Sequence, residues 1–131
     1  MTAMYAPPTP GSQNKPLGDR GERLAAEHLE RAGWTILARN FRVGHREVDL
    51  VARRGGIVAF VEVKTRAGLG YGHPLEAITR AKQREVAFVA QAWIDRHGLE
   101  GVDYRFDAVA VLILPGADPA IEHIEDAWRM Y

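Results

Sequence analysis

A mixed β-sheet flanked by helices, an α/β fold in the order α-β-β-β-α-β-(β), is the class the sequence predicts. Three observations predict it. Two segments repeat apolar residues at helical spacing, Leu17 to Ala32 and Thr79 to His97. Between and after them lie runs of strand length that alternate or are continuously apolar. Gly- and Pro-rich stretches separate the segments. In order, residues 1–16, "MTAMYAPPTPGSQNKP", are too polar and too rich in Pro and Gly to bury a core, so they are expected to be a mobile, disordered tail. Residues 17–131 are expected to form a single domain.

The first helix carries its stripe at Leu17, Gly21, Leu24, Ala25, His28 and Ala32, with Gly33 as a stop. "WTILARNFRV" follows as a first strand. "REVDLVAR" alternates and reads as a second, "RGG" makes a turn, and "IVAFVEVKTR" is the third, so these two form a hairpin. "AGLGYGHP" is a glycine-rich loop that lacks the GK[ST] ending of a nucleotide-binding P-loop. The second helix runs from Thr79 to His97 and is closed by Gly98. "YRFDAVAVLIL" is apolar on both faces and reads as internal to the sheet. "AIEHIEDAW" reads as a fifth, edge strand.

Composition limits what the chain can do. Its 131 residues suffice for one domain with a real core, and 47% hydrophobic with 26% charged residues is a globular balance. The absence of cysteine excludes disulfides, thiol nucleophiles and Cys-ligated zinc, and it fits a reducing compartment. The five histidines show no paired metal-ligand spacing. "AVAVLIL" is far too short to span a membrane, and the start lacks the basic and apolar regions of a signal peptide. The expectation is a cytoplasmic protein with no membrane partner. Net charge is zero, but from Arg39 to Arg84 ten Lys/Arg face four acids, a net of +6 against −6 elsewhere. A basic middle suits a polyanion, although solvated charge on a mixed surface accounts for it equally well.

The third strand poses the sharpest question, because Glu62 and Lys64 interrupt a greasy run in its second half. Side chains two apart share a face, so Val58, Phe60, Glu62 and Lys64 are expected to point one way, and Glu47, Asp49 and Val51 to share a face of the preceding strand. Pairing on that side brings Asp49, Glu62 and Lys64 together. Buried ions cost several kcal/mol unless they are paired or hold a metal. For an isolated ExK the commoner explanation is an ion pair at a fraying strand end. Glu22, at the border of the first helix's stripe, either faces solvent or looks toward the sheet. Lys82, among the apolar residues of the second helix, either snorkels outward or meets an anion, with Asp107 or Glu85 as candidate structural partners. The roles of Asp107 and Glu47 stay open.

In order along the chain, "GDRGERLAAEHLERAGWTILARNFR", "REVDLVAR", "VAFVEVKTR", "AITRAKQREVAFVAQAWI" and "YRFDAVAVLI" resemble the YraN-type family of small bacterial proteins, over about residues 17 to 127. That family resembles in turn the PD-(D/E)xK nuclease superfamily, especially archaeal Holliday-junction resolvases. The resemblance implies a restriction-endonuclease-like fold, with an acid on the first helix, an aspartate on the second strand and an ExK on the third: Glu22, Asp49, Glu62 and Lys64. The proline of the superfamily's motif is absent here, since Val48 precedes Asp49.

The activity so implied is Mg²⁺-dependent, structure-selective hydrolysis of DNA phosphodiesters, with Mn²⁺ as a substitute ion. Asp49, Glu62, the Val63 backbone carbonyl and Glu22 are the expected metal ligands, and Lys64 orients water or stabilises developing charge. Arg46, Arg66, Arg80, Lys82 and Arg84 are expected to contact phosphates of branched or otherwise structured DNA, with a homodimer as one way to span a junction. The alternative is a nucleic-acid-binding or adaptor module that keeps the fold with little or no catalysis.

Overall fold

The alternating runs and the two apolar stripes become five strands and two long helices in the computed structural model, which describes residues 15–68 and 74–130. Of the expected tail, residues 1–14 lie outside the described residues, while Lys15 and Pro16 already belong to the first helix. The centre of the glycine-rich loop, residues 69–73, also lies outside them. The elements are α1 (Lys15–Arg31), β1 (Thr35–Val43), β2 (Arg46–Arg54), β3 (Ile57–Arg66), a short 3-10 turn (Pro74–Ala77), α2 (Arg80–His97), β4 (Asp103–Leu112) and β5 (Ala120–Trp128). The sheet order is β1-β2-β3-β4-β5; only β3 and β4 run parallel, because α2 carries the chain across between them. β4 is internal and β5 is an edge, as the patterns predict.

Each helix covers one face. Leu50, Ala52, Ala59, Val61, Val63, Val109 and Val111 pack with Ala25, Ala26 and Leu29 of α1. Val48, Val51, Val58, Phe60 and Ala108 pack with Val86, Val89, Ala90 and Trp93 of α2. Phe60 centres the second core, edge-on to Trp93 at 5.8 Å and stacked with Tyr104 at 5.9 Å. Burying side chains of this size contributes about 1.5–3 kcal/mol each. α2 is capped at both ends: the Thr79 side chain accepts the Lys82 N–H, and Gly98 turns left-handed at φ 50°.

α1 departs from its expected stripe. Its buried residues are Gly21, Ala25, Ala26 and Leu29, and Ala32 is exposed beyond the helix end. The buried face is thus rotated toward the line of Glu22. The cause is close packing on β3: a Cβ on Gly21 would lie 1.8 Å from Thr65 Oγ1, so glycine is what lets the helix seat there.

Both edge strands are interrupted. β1 has a register shift at Leu37 and a left-handed Asn40 at φ 50°, opposite Asp49 in register. β5 slips between its pairings with Phe106 and Ala108, with Asp126 at φ 51°. The expectation that β4 is apolar on both faces holds only for its second half. Asp107, fully buried, takes two bonds from Arg105 (2.8 and 2.9 Å), shares a 2.7 Å bond with His123 Nε2, and accepts the Asp126 N–H at 3.0 Å. Burial alone would raise its pKa, but the His123 and Arg105 hydrogen bonds outweigh it and hold the carboxyl below its usual range.

Candidate active site

The ladder between β2 and β3 ends at Leu50↔Val61, and the site begins there. Asp49 Oδ2 accepts the Val63 N–H at 2.7 Å, standing where a strand carbonyl would otherwise be. Strict alternation fails at this point: Val48 and Val51 both enter the α2-side core. Asp49 therefore does not simply share the Glu62 face, as alternation predicted. Its carboxyl is held by the β3 backbone and interacts with both Glu62 and Glu22. The Val63 carbonyl leaves the strand on the same edge as its N–H.

Glu62, on the α2 side, is 2% exposed. Its Oε2 lies 3.4 Å from Lys82 Nζ, while its Oε1 is buried without a hydrogen-bond partner. Lys82 Nζ also bonds Glu85 at 2.8 Å and the Glu47 carbonyl at 3.4 Å. Of the two structural partners offered for Lys82, Glu85 is the real one and Asp107 is remote. Burial opposes the Lys82 charge, but its Glu85 hydrogen bond and the charge of Glu62 keep its pKa above normal. Lys64 follows two residues after Glu62, half-buried, and its charge acts on Glu62.

Glu22 reaches the cluster from α1, where Asn40 Nδ2 donates to its Oε1 at 2.8 Å. Burial raises the Glu22 pKa to about 7, against the Asn40 bond, with the Asp49 and Glu47 charges adding to the rise. Burial and the neighbouring Glu62 charge push Asp49 up to about 8. Glu62 is also raised, by burial, despite Lys82 and Lys64. The contrast with Asp107 is instructive. Both aspartates are buried and both accept a backbone N–H where a ladder breaks, yet only Asp107 has cations bonded to it. Asp49 and Glu62 form an acid pair that stays raised in pKa although Lys82 and Lys64 offset part of its charge, which is the pattern of a functional site rather than a structural one.

A hard divalent cation fits this donor set. The donors are carboxylate oxygens, one of them buried and unpartnered, and two acids have pKa values that a nearby positive charge would lower. Among the described residues no three acidic or histidine side chains converge into a ready-made cage. Asp49 and Glu62 would thus be the protein carboxylates that hold it, in the manner of Mg²⁺, which keeps several waters.

Of the five expected phosphate contacts, Arg80 and Arg84 are exposed on the first turns of α2. Arg46 lies with its guanidinium 4.3 Å from the Phe88 ring centre. Arg66 ends β3, bonding the Thr65 carbonyl at 3.3 Å. Lys82 faces inward to the acids. The sequence reading missed a cleft of about 360 Å³ beside Glu22, lined by Lys15, Asp19, Arg23, Arg39, Asn40 and Leu50. It also missed Asn40, whose one signal was a β-depleted residue amid a strand. Asn40→Gly should keep the left-handed turn but lose the amide, raising the Glu22 pKa further; carboxyl NMR titration would read this. Asn40→Ala should be less stable than Asn40→Gly by about 1–2 kcal/mol, since alanine resists positive φ. Equal denaturation midpoints would refute that.

Fold and site together define a small single-sheet α/β/α protein with an Asp…Glu-x-Lys cluster where two strands part. Residues 21–111 match the model described as "Uncharacterised protein family UPF0102", and the chain belongs to that family, the YraN type of the motif resemblance. It is 48% identical to a UPF0102 protein of Trichlorobacter lovleyi, over 94% of this chain and 98% of that one. It is 50% identical to one of Geobacter sulfurreducens, over 89% and 91%. Among solved structures it is similar to Hjc of Archaeoglobus fulgidus, a Holliday junction resolvase, with TM-score 0.46 and 23% identity over 80% of this chain and 75% of that one. That likeness is too distant to assign an activity. Among the described residues no helix is long and apolar enough to cross a membrane.

Proposed function

We propose that the protein is a divalent-metal-dependent endonuclease of the cytoplasm that hydrolyses phosphodiester bonds in structured DNA. The observation that carries this reading is the Asp49–Glu62 pair: buried, mutually repelling, without a bonded counter-ion on Asp49, and followed by Lys64. The motif resemblance points the same way. Asp49 and Glu62 would hold the cation, with the Val63 carbonyl beside them and Glu22 at the cluster's α1 side. When bound, the ion supplies Lewis-acid neutralisation of phosphate charge. Lys64 orients the attacking water or stabilises charge developing on the phosphate. Glu22, with a pKa near neutrality, can hold or release a proton close to working pH. Arg80 and Arg84 would anchor the backbone.

One observation favours the second reading, a binding module without cleavage. Lys82 already lies 3.4 Å from Glu62 Oε2, so an ammonium partly fills the position of a cation. Incubation with branched and linear DNAs, with and without Mg²⁺ or Mn²⁺, beside a Glu62→Ala control, decides between them. Metal-dependent nicks absent from the control support the nuclease; binding without nicks supports the module.

Lys64→Ala should separate the two steps. Cleavage is expected to fall about 10²- to 10³-fold with binding retained, because the lysine acts mainly in the transition state. Arg84→Ala should instead weaken binding to every sequence and reduce the salt slope by about one unit. If Lys64→Ala lost binding and cleavage in equal measure, its catalytic role would be excluded.

A further inference from the structure

An exposed aromatic stands beside the proposed DNA-binding arginines. Phe88 is 50% exposed, and only it and Leu37 are large exposed hydrophobics among the described residues. The Arg46 guanidinium lies over its ring at 4.3 Å. Arg84 is exposed one helical turn earlier on α2. The local acids are engaged elsewhere, Glu47 with Arg42 and Glu85 with Lys82. Arg84 is thus exposed and Arg46 half-buried against the ring, and neither has a carboxylate partner among the described residues. Phe88 lies six residues beyond Lys82 on α2, about 9 Å along the axis at the usual helical rise.

We propose that Phe88, with Arg46 and Arg84, is a stacking platform for an unpaired base, so that the substrate carries single-stranded nucleic acid beside the cleavage point. This rests on the nucleic-acid reading above and narrows it. An aromatic face offers sequence-tolerant stacking, and flanking guanidiniums supply phosphate contacts and cation–π attraction. A duplex keeps its bases stacked inside and has none to give to Phe88. The occupant is thus a strand end, gap or fork, and the positive charge of Arg46 at the ring and of Arg84 one turn away argues against an apolar protein partner.

The test is binding in EDTA, read by fluorescence anisotropy, so that cleavage plays no part. The probes are labelled oligothymidylate of about 20 nucleotides and a blunt duplex of equal length. Phe88→Ala should weaken oligothymidylate binding about five- to hundredfold and leave the duplex affinity unchanged. Phe88→Tyr should keep the parent affinity. Phe88→Trp adds a reporter, because the three native tryptophans are 3%, 3% and 8% exposed. Its emission should be quenched by the strand and not by the duplex. Equal loss on both probes, or loss on neither, overturns the platform. So does a parent dimer that Phe88→Ala converts to monomer in sedimentation, which would make this face a contact between copies. Cleavage that survives while Phe88→Ala has no binding effect sinks the platform alone; failure to bind any nucleic acid sinks the nuclease reading with it.

Discussion

Asp49→Asn is expected to melt well above the parent protein in metal-free buffer at pH 8, and to lose metal-dependent cleavage by at least about 10³-fold. Both effects have one cause. The folded protein lifts the Asp49 pKa from 3.8 to about 8, chiefly by burial and then by the charge of Glu62. Between those values the folded chain holds a proton that the unfolded chain has released. Stability therefore falls as pH rises through this window. Below it both states are protonated and the cost vanishes; above it both are ionised and the full cost, a few kcal/mol, is present. Asparagine carries no charge, and its carbonyl oxygen can still accept the Val63 N–H, so the gap in melting temperature is on the order of 10 °C at pH 8 and narrows toward pH 4. Adding Mg²⁺ should close a large part of that gap. At a hundred times its dissociation constant it stabilises the parent by about 2.7 kcal/mol and leaves Asp49→Asn unmoved. Calorimetry that shows equal metal response, or a metal-free variant less stable than the parent at pH 8, would remove Asp49 from the metal site.

Gly21→Ala should be among the most damaging single methyl additions in the chain. The new Cβ would sit 1.8 Å from Thr65 Oγ1 and 2.8 Å from the Thr65 Cβ and Cγ2 atoms. Thr65 is anchored in β3 between Lys64 and Arg66, so the helix must move instead. Overpacking of this kind costs about 1–3 kcal/mol or more. The displacement also carries Glu22, the next residue, away from Asn40 and Asp49, so activity should fall further than stability alone explains. Thr65→Ala should rescue part of the loss, because it removes the nearest atom but leaves the Cβ contact. Additive effects in the double variant, read by urea denaturation, would show that the two residues do not collide.

The regular parts of this fold were legible because period and punctuation agree. Ile57 to Val61 is apolar on both faces and must be interior; Thr79 and Gly98 cap α2 with chemistry visible in the letters. Asp49, Glu62 and Lys64 stood out as charges where none should be, and their meeting follows from a short hairpin. What stayed hidden depends on departures from period. Asn40 abandons the extended conformation, the Asp49 carboxyl takes a backbone N–H of the neighbouring strand, and Asp107 finds His123 and the Asp126 N–H only across a slipped pairing. The rotation of α1 depends on one glycine touching one threonine in a strand more than forty residues away, a contact no local pattern encodes. The cleft of Lys15, Arg23 and Arg39 is likewise assembled from three elements, α1, β1 and Leu50 of β2, none of which by itself signals a cleft.

The two left-handed residues on the outer strands have a consequence for self-association. An open sheet ends in rows of unpaired amides and carbonyls that another copy can extend, the first step toward fibrils or precipitate. In this sheet the two edges are β1 and β5, and each is broken partway along, by Asn40 and by Asp126. Neither rim offers a long straight template, so a second sheet could join only over a few residues before losing register. The irregularity that positions an amide at Glu22, and the one that feeds an N–H to Asp107, thus also guard the rims against runaway polymerisation.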